Sequence, residues 1–400
     1  MSGAMAPDLS VQTCRPADLS VSARDLWSGF RAADPAFHSP YFDLRYLLAA
    51  GEAAPESQVA VIRRGGEIVG FLPFQRRGRL IQPIAAPLTD YHGLLSAPGA
   101  EVDLASVVGL LGARRFRFAG LVGAAAGGSR LSSRRAMVAD LSEGFEAYTA
   151  RRPAEFFKDK RRRARRLAET LGPLDFTFDA DGEGVLDLIF RLKRAQMRRT
   201  GQHDIFASPW TMPFLRRLST LASDDFGLRF ATLRAGSRIV AAEVGLRSGS
   251  AYHLWFPVYD PELARYSPGA LMTLETLRAA PEQGIATVDF GPAGEDYKRD
   301  FAEPGQPVFE GDVTAGGWVE TARAAANLAL AHAPDLRDSM SRAGRRLDRR
   351  WDRITACEPR LDGRAIAASQ TLGDLGRRHP RTSIGLGLGL GLGLMGLVAD

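Results

Sequence analysis

Apolar and polar positions in the first third of the chain predict short strands around one hairpin. Residues 57–76 hold two runs rich in Val, Ile and Phe on either side of Arg-Gly-Gly-Glu, which is typical of a β-hairpin with a glycine turn. A helix is predicted before the hairpin, over 40–50, and strands are predicted after it, over 79–84, 91–96 and 115–122. These elements indicate a small α/β unit.

In the second half of the chain, segments whose apolar residues have helical spacing alternate with segments that have the pattern of β-strands. Apolar residues at helical spacing predict a basic helix that starts at Phe156 and ends at Gly172-Pro173. Further helices are predicted over 182–200 and near 209–222, and strands over 174–180, 227–234, 238–247 and 250–258. The last three strands form an antiparallel meander, and a helix from Gly269 and the strand ATVDFG follow it. This order predicts an α+β fold, and the first half resembles a shorter version of it.

The length of the chain indicates a second domain, and its charge distribution shows two basic segments. A chain of 400 residues, 45% hydrophobic and 24% charged, is too long for one ordinary core, so we expect two domains with appendages. The net charge of +6 is uneven, because residues 151–166 hold nine basic residues against two acidic ones and 337–381 hold twelve Arg against six acidic ones. Abundant Arg, Ala and Gly are typical of a GC-rich genome, so this basicity does not favour nucleic acid binding.

Cysteine, histidine and the first residues give no sign of metal binding or export. Cys14 and Cys357 lie far apart and the six histidines form no HxxxH motif, so neither a structural metal nor a disulfide is expected. Residues 1–10 lack the charged and apolar regions of a secretory signal. The expected compartment is therefore the cytoplasm.

The C-terminal fifth departs from the composition of a globular domain. We expect a helical Arg-rich extension over 319–382 and a Gly-Leu low-complexity tail over 383–400. As a helix, 383–398 would span about 24 Å, short of the roughly 30 Å hydrocarbon core, so a membrane crossing is not expected. Two alternatives stay open: a disordered tail, or contact with a partner or the inner-membrane surface, which the basic GRRHPR before it would support.

The helix that begins in RYSPGALM is a candidate anion site. Ser267 takes the N-cap position and Pro268 the first helical position, while Gly269 and Ala270 lie in the first turn, with no acidic residue before Glu275. Free backbone N–H groups at such a helix start bind phosphate or pyrophosphate. The alternative is an ordinary capped helix.

Two ionisable residues lie within predicted apolar strands. His253 in AYHLWF is either a general base or a buried, hydrogen-bonded core histidine. Glu243 in IVAAEVGL is either a carboxyl group whose pKa is raised by burial, which suits proton transfer, or the partner of an arginine.

The stretch DFGPAGEDYK places polar side chains after an apolar strand. Asp289 ends this strand, where side chains point into ligand crevices. Tyr297 could protonate a leaving thiolate or alkoxide, and Lys298 could bind a phosphate or a carboxylate. Lys298 is one of only four lysines among 52 basic residues, which indicates a need for a compact charge. Alternatively, Asp289 and Lys298 form a salt bridge that only closes the loop.

These motifs together resemble a known family. YSPGALM, DFGPAGEDYKRDFAE, FFKDKRRRARRLAETLG and GFLPFQRR are similar to those of the CelD/BcsL-type acetyltransferases of the GNAT superfamily, associated with bacterial cellulose and exopolysaccharide production. The resemblance covers about residues 35–310. It implies two tandem GNAT-like folds in a FemAB-like layout, over 1–145 and 146–318, with the second as the catalytic unit.

The resemblance implies acetyl-CoA or another acyl-CoA as co-substrate, and no metal. Arg265, Pro268 and Ala270 fall on the three positions of the family's pyrophosphate-binding pattern, with Tyr266, Ser267 and Gly269 between them. Pro268 replaces a glycine and removes one N–H group. Coenzyme A therefore binds differently here, or another acyl carrier is the donor.

The resemblance also implies a direct transfer to a small-molecule or glycan acceptor. An amine or a sugar hydroxyl attacks the thioester, its proton leaves through His253, Glu243 or Asp289, and Tyr297 protonates the thiolate. Lys298 would bind an anionic group of the acceptor or brace Asp289.

Two other functions remain open from the sequence. One is an aminoacyl-tRNA-dependent transferase of the FemX kind, with tRNA on the basic helix 158–166, whose cations otherwise form a solvated face. The other is a non-catalytic scaffold at a membrane polysaccharide machine, held there by the basic extension and the tail. Either scheme allows a cytoplasmic protein that is peripheral at the inner membrane.

Overall fold

The computed structural model describes residues 9–123, 132–180, 182–200 and 202–315, together with 351, 354–358, 364 and 369. Fourteen strands are present in this part: β1 Leu9–Cys14, β2 Ser57–Arg64, β3 Glu67–Arg77, β4 Leu80–Pro83, β5 Leu95–Ser96, β6 Arg115–Leu121, β7 Ser132–Asp140, β8 Leu174–Phe178, β9 Phe226–Ala235, β10 Arg238–Ser248, β11 Ala251–Leu254, β12 Val258–Tyr259, β13 Thr287–Pro292 and β14 Glu303–Thr314. The α-helices of this part are α1 Val21–Ala33, α2 Leu44–Ala53, α3 Leu104–Leu110, α4 Gly144–Ala150, α5 Ala154–Leu171, α6 Gly182–Thr200, α7 Thr211–Thr220, α8 Pro268–Ala279 and α9 Lys298–Phe301.

All fourteen strands belong to one mixed sheet. Its order is β1-β2-β3-β4-β6-β14-β7-β13-β11-β10-β9-β8, with β5 beside β3 and β12 beside β10. Strand β14 lies between β6 and β7 and is antiparallel to both. A strand of the second half is therefore inserted between two strands of the first half, and β7 in turn pairs with β13 of the second half. The predicted α+β class is confirmed.

The predicted hairpin is confirmed as β2 and β3. Arg64 pairs with Glu67, which leaves Gly65 and Gly66 as a two-residue loop. Their φ angles are 59° and 89°, in the left-handed region that a type I′ turn requires at both positions. Glycine at both positions adopts these angles without steric cost.

The predicted meander is confirmed, but its third strand is broken. Residues 250–258 form β11 and β12 with a gap between them, because the backbone N–H groups of Trp255 and Phe256 both donate to the carbonyl of Val244 and Pro257 has no N–H to continue the ladder. Both β11 and β12 pair with β10, and of these two only β11 also pairs, in parallel, with β13.

Several other predicted bounds need correction. The helix predicted over 40–50 is a 3₁₀ turn over Pro40–Phe42 followed by α2, because the Asp43 carboxylate accepts from the Arg45 N–H and starts a new helix. Of the strand predicted over 91–96, only β5 is present. The sequence patterns also did not predict β1, β7, β14 or the helices α1, α3, α4 and α9.

The largest hydrophobic cluster draws on both halves of the chain. Tyr46 of α2 packs edge-on against Phe214 of α7 at 5.3 Å between ring centroids, and Tyr41 packs against Trp255 at 5.7 Å. Rings in edge-to-face contact add to the stabilisation from burial. The contact between the halves is therefore a packed core.

The described residues near the C-terminus pack onto this fold. Cys357 is fully buried, and its carbonyl oxygen accepts hydrogen bonds from Ser208 Oγ at 3.0 Å and Trp210 Nε1 at 3.4 Å. Most of the predicted extension over 319–382 and all of the predicted tail over 383–400 lie outside the described residues, whose helices include none long and apolar enough to span a membrane.

Candidate active site

The sheet opens at the C-terminal ends of β11 and β13. The two strands pair only through 251–253 and 287–289. Beyond that point β12 continues along β10, with which β11 also pairs, and β13 continues along β7, where Pro292 pairs with Ala136. Two neighbouring strands therefore part and leave a cleft between them, and His253 and Asp289 are the last paired residues at its closed end.

His253 lies between two carboxylates. Its Nε2 atom is 2.9 Å from Asp90 Oδ2, and its Nδ1 atom is 3.6 Å from Asp289 Oδ1. The side chain is only 1% exposed. Burial lowers the pKa of His253, but the nearby carboxylates of Asp289 and Asp90 outweigh burial and raise the pKa to about 9. The imidazole is thus an imidazolium at neutral pH, and we call Asp90, His253 and Asp289 the carboxylate–histidine cluster.

The first half of the chain supplies part of this cluster. Tyr91 donates its hydroxyl hydrogen to Asp289 Oδ1 at 2.8 Å, and the ring of Tyr41 packs edge-on against His253 at 5.0 Å. Burial, followed by nearby negative charge, raises the pKa of both tyrosines well above the ordinary value, so both hydroxyls stay protonated. The sequence patterns missed Asp90, Tyr91 and Tyr41, although the polar run TDYHG amid apolar segments was a signal.

The segment that carries Asp90 is fixed by backbone contacts. His92 pairs with β6 through hydrogen bonds to Gly120 and Val122, and its Nε2 accepts from the Gly120 N–H at 3.2 Å. A Cβ at Gly120 would lie 1.8 Å from the Asp90 carbonyl oxygen, so only glycine allows this approach. Asp90 therefore has a defined position at the cleft.

Lys298 approaches the cluster across Gly291. Its Nζ atom contacts Glu295 Oε2 at 2.8 Å and donates to the Pro292 carbonyl at 3.1 Å. A Cβ at Gly291, where φ is 79°, would lie 3.7 Å from each of Lys298 Nζ, Asp90 Oδ2 and His253 Cε1. Lys298 thus forms a salt bridge with Glu295 and not with Asp289, the partner considered from the sequence.

Tyr297 and Lys193 border the same loop. Tyr297 is 43% exposed, and the part of its ring that is buried, then the negative charges of Glu295 and Glu243, raise its pKa to about 12. The phenol is therefore protonated and able to donate a proton. Burial lowers the pKa of Lys193 in α6 to about 8, against the opposing effect of Glu295. Lys193 was not predicted as a site residue.

Glu243 lies on the opposite face of the sheet from His253. Its Oε1 accepts from Thr276 Oγ1 at 2.9 Å and from the Tyr252 hydroxyl at 3.3 Å, and adjacent residues of a strand such as Tyr252 and His253 point to opposite faces. Burial raises the pKa of Glu243 to about 7. Its partners are hydroxyl groups, not an arginine, and its Oε2 contacts no donor among the described residues.

The segment 265–270, which we call the α8 entry loop, presents free N–H groups. The first helical hydrogen bond runs from Leu271 N to the Ser267 carbonyl, and Pro268 has no N–H, so the N–H groups of Gly269 and Ala270 have no acceptor within the described part of the chain. Two donors at the positive end of a 12-residue helix suit an anion.

Ser267 is not the side-chain cap that the sequence predicts. It adopts a left-handed conformation, with φ 54° and ψ 49°, and its hydroxyl makes no capping bond. Instead, Arg163 of α5 donates to Ser267 Oγ at 3.2 Å and to the Arg265 carbonyl at 2.8 Å. Arg265 lies over the Tyr266 ring at 4.7 Å and donates to its hydroxyl. The predicted basic helix thus supports the α8 entry loop through Arg163.

The comparisons with known proteins bear on the second half most directly. Residues 155–299 match the family model described as acetyltransferase (GNAT) domain. This match includes every predicted site residue and leaves out Asp90 and Tyr91. A comparison with curated proteins finds no match.

Solved structures resemble the chain at low identity. A tandem GNAT protein from the clavulanic acid biosynthesis pathway is similar over 77% of this chain and 99% of its own, with 14% identity and a TM-score of 0.46. L-PGS from Bacillus licheniformis is similar over 72% and 91%, with 9% identity and a TM-score of 0.46. FemX is similar over 74% and 96%, with 11% identity and a TM-score of 0.43.

Proposed function

We propose that the GNAT acetyltransferase domain at 155–299 transfers an acyl group from an acyl-CoA thioester to an amine or a hydroxyl group. The observation that carries this proposal is the parting of β11 and β13. The α8 entry loop, in which Gly269 lies against Tyr259 of β12, would supply free backbone donors on one side of the cleft, and the carboxylate–histidine cluster lies at the closed end. An extended thioester arm can lie between two parted strands, because their free backbone groups replace its hydrogen bonds to water.

The donor's phosphates would bind at the α8 entry loop. The N–H groups of Gly269 and Ala270 would donate to the pyrophosphate, and Arg163 would hold the loop in place through its two hydrogen bonds. Pro268 contributes no donor but fixes the first helical φ, so the two remaining N–H groups keep their direction. This arrangement supports acetyl-CoA or another acyl-CoA as the co-substrate.

The transfer itself would be a direct displacement. The acceptor nitrogen or oxygen attacks the thioester carbonyl and the C–S bond breaks, so the acceptor loses a proton and the thiolate gains one. Tyr297 can supply the thiolate's proton, because its raised pKa of about 12 keeps the phenol protonated at neutral pH. Lys298 would bind an anionic part of the acceptor or, through Glu295, order the loop that carries Tyr297.

We further propose an acceptor in the cell envelope, at an amine or a sugar hydroxyl of an exopolysaccharide precursor. The support is the resemblance of the motifs DFGPAGEDYK and YSPGALM to CelD/BcsL-type acetyltransferases. Such a role would place the protein at the cytoplasmic face of the inner membrane.

The test is acetyl transfer by the full-length protein. Acetyl-CoA would be incubated with a panel of amino sugars, amino acids and neutral sugars, with thiol release as the readout. We expect turnover with at least one class of acceptor and its loss in Tyr297→Phe. If no acceptor gives thiol release above the rate of hydrolysis, the proposal is wrong.

A further inference from the structure

The predicted proton acceptors are poorly placed for the transfer. His253 already carries its proton and has both ring nitrogens directed at carboxylates. Asp289 is 19% exposed, and its Oδ1 already accepts from Tyr91 and from the Gly291 N–H at 2.6 Å. Glu243 is fully buried on the other face of the sheet. The acceptor's proton therefore needs another destination.

Asp90 is the carboxylate of the cluster that a substrate can reach. Its side chain is 40% exposed, about twice the exposed fraction of Asp289. Only its Oδ2 is engaged, by His253, while its Oδ1 contacts no hydrogen-bond donor in the described ranges. The Oδ2 atom also borders the space beside Gly291 that Lys298 faces. An open carboxylate oxygen thus lies beside the closed end of the cleft.

The contact with His253 fixes the orientation of Asp90. Nε2 of the imidazolium lies 2.9 Å from Asp90 Oδ2, so Asp90 Oδ1 is the oxygen left for an acceptor's proton. The imidazolium keeps its own proton throughout and holds the Asp90 carboxylate in place.

We propose that Asp90, from the first half of the chain, is the general base of the transfer catalysed by the second half. This inference rests on the proposed function. As the new C–N or C–O bond forms and the C–S bond breaks, the proton of the acceptor's N–H or O–H group moves to the Asp90 carboxylate, and Tyr297 protonates the departing thiolate. The first half of the chain is then a catalytic part of the enzyme, and residues 155–299 alone lack the base.

The experiment compares three variants of the full chain with glucosamine and ethanolamine as acceptors at saturating acetyl-CoA. Asp90→Asn keeps an oxygen that accepts from His253 but cannot take a proton. Asp90→Glu keeps the carboxylate, and Asp90→Ala leaves space for added formate. Asp296→Asn, an exposed change in the loop before Tyr297, is the matched control.

General base catalysis contributes about 100-fold to 10,000-fold to a rate, so we expect kcat to fall at least about 100-fold in Asp90→Asn. The acetyl-CoA Kd should stay unchanged, Asp90→Glu should retain part of the rate, and formate should restore Asp90→Ala in proportion to its concentration. A purely structural Asp90 would show no rescue by formate.

A kcat for Asp90→Asn within about threefold of the wild type would overturn the inference and leave the acyltransferase function standing. The same holds if formate rescues nothing while Asp90→Ala still binds acetyl-CoA normally. A wild type that binds no acetyl-CoA, or that releases no thiol with any acceptor of the panel of amino sugars, amino acids and neutral sugars, would instead contradict the proposed function, and the inference with it.

Discussion

A His253→Gln variant should lose a pH dependence of stability that the wild type shows between pH 6.5 and about pH 9. Asp289 and Asp90 raise the pKa of His253 to about 9 in the folded protein, from an ordinary value of 6.5. Between these values the folded protein holds a proton that the unfolded chain has released. The stabilisation is therefore complete below pH 6.5 and is lost as the pH rises through 9.

The expected magnitude follows from the two pKa values. Their separation corresponds to about 3 kcal/mol of unfolding free energy. The side chain is almost fully buried, so solvent screens the interaction little. Gln keeps a donor for Asp90 or Asp289 but carries no titrating proton, so the variant should lack this slope.

The assay is urea unfolding at about pH 6 and about pH 9.5, with the unfolding free energy extrapolated to water. The wild type should lose about 3 kcal/mol more than His253→Gln over this interval. His38→Gln, at an exposed position, should follow the wild type. If the unfolding free energies of the wild type and of His253→Gln change equally between the two pH values, His253 is not a buried imidazolium between two carboxylates.

Three further predictions concern other parts of the fold. Glu243 has a pKa of about 7 in the folded protein against an ordinary value of 4.5, so its buried charge lowers the stability of the wild type as the pH rises through this interval. Between pH 4.5 and pH 7, the free energy of unfolding of Glu243→Gln should therefore rise by about 3 kcal/mol relative to that of the wild type in the same urea assay. Gly245→Ala should lower the free energy of unfolding by at least about 1–3 kcal/mol in thermal unfolding, because the added Cβ would lie 2.1 Å from the Tyr252 ring. Gly184→Ala in α6, with open space around it, should instead raise the free energy of unfolding by up to about 1 kcal/mol. Equal effects of the two substitutions would contradict this packing. Arg163→Gln should raise the KM for acetyl-CoA about tenfold with little change in kcat, because two hydrogen bonds to the α8 entry loop are lost. An unchanged KM would show that Arg163 has no role in donor binding.

Local signals in the sequence predicted the elements that depend on few neighbours. Two glycines with left-handed φ angles fix the β2–β3 hairpin, and the helical spacing of apolar residues fixes α5 and α6. Strand β14 was missed because EPGQPVFEGDVT has no clean alternation, and it is stabilised by β6 and β7 on both sides. Its pairing partners lie far away in the chain, so no local pattern could reveal them.

The site was predicted in part for the same reason. His253 and Asp289 stand out as polar residues in apolar strands, and their register in the sheet brings them together. Asp90 lies 163 residues from His253, so only the tertiary fold shows that the two meet. Glu243 had the same sequence signal as His253, but the face to which it points depends on strand register, which the sequence alone does not fix.

The most direct test of the account is calorimetric titration of the full-length protein with acetyl-CoA and with S-acetyl-pantetheine, which lacks the nucleotide phosphates. Gly269→Glu would place a negative charge at the α8 entry loop, and Val21→Glu, a 76% exposed position in the first turn of α1, is the matched control. Acetyl-CoA should bind the wild type and Val21→Glu but not Gly269→Glu, and S-acetyl-pantetheine should bind the wild type far more weakly than acetyl-CoA does. Equal binding of acetyl-CoA to all three proteins would contradict the donor site at the α8 entry loop.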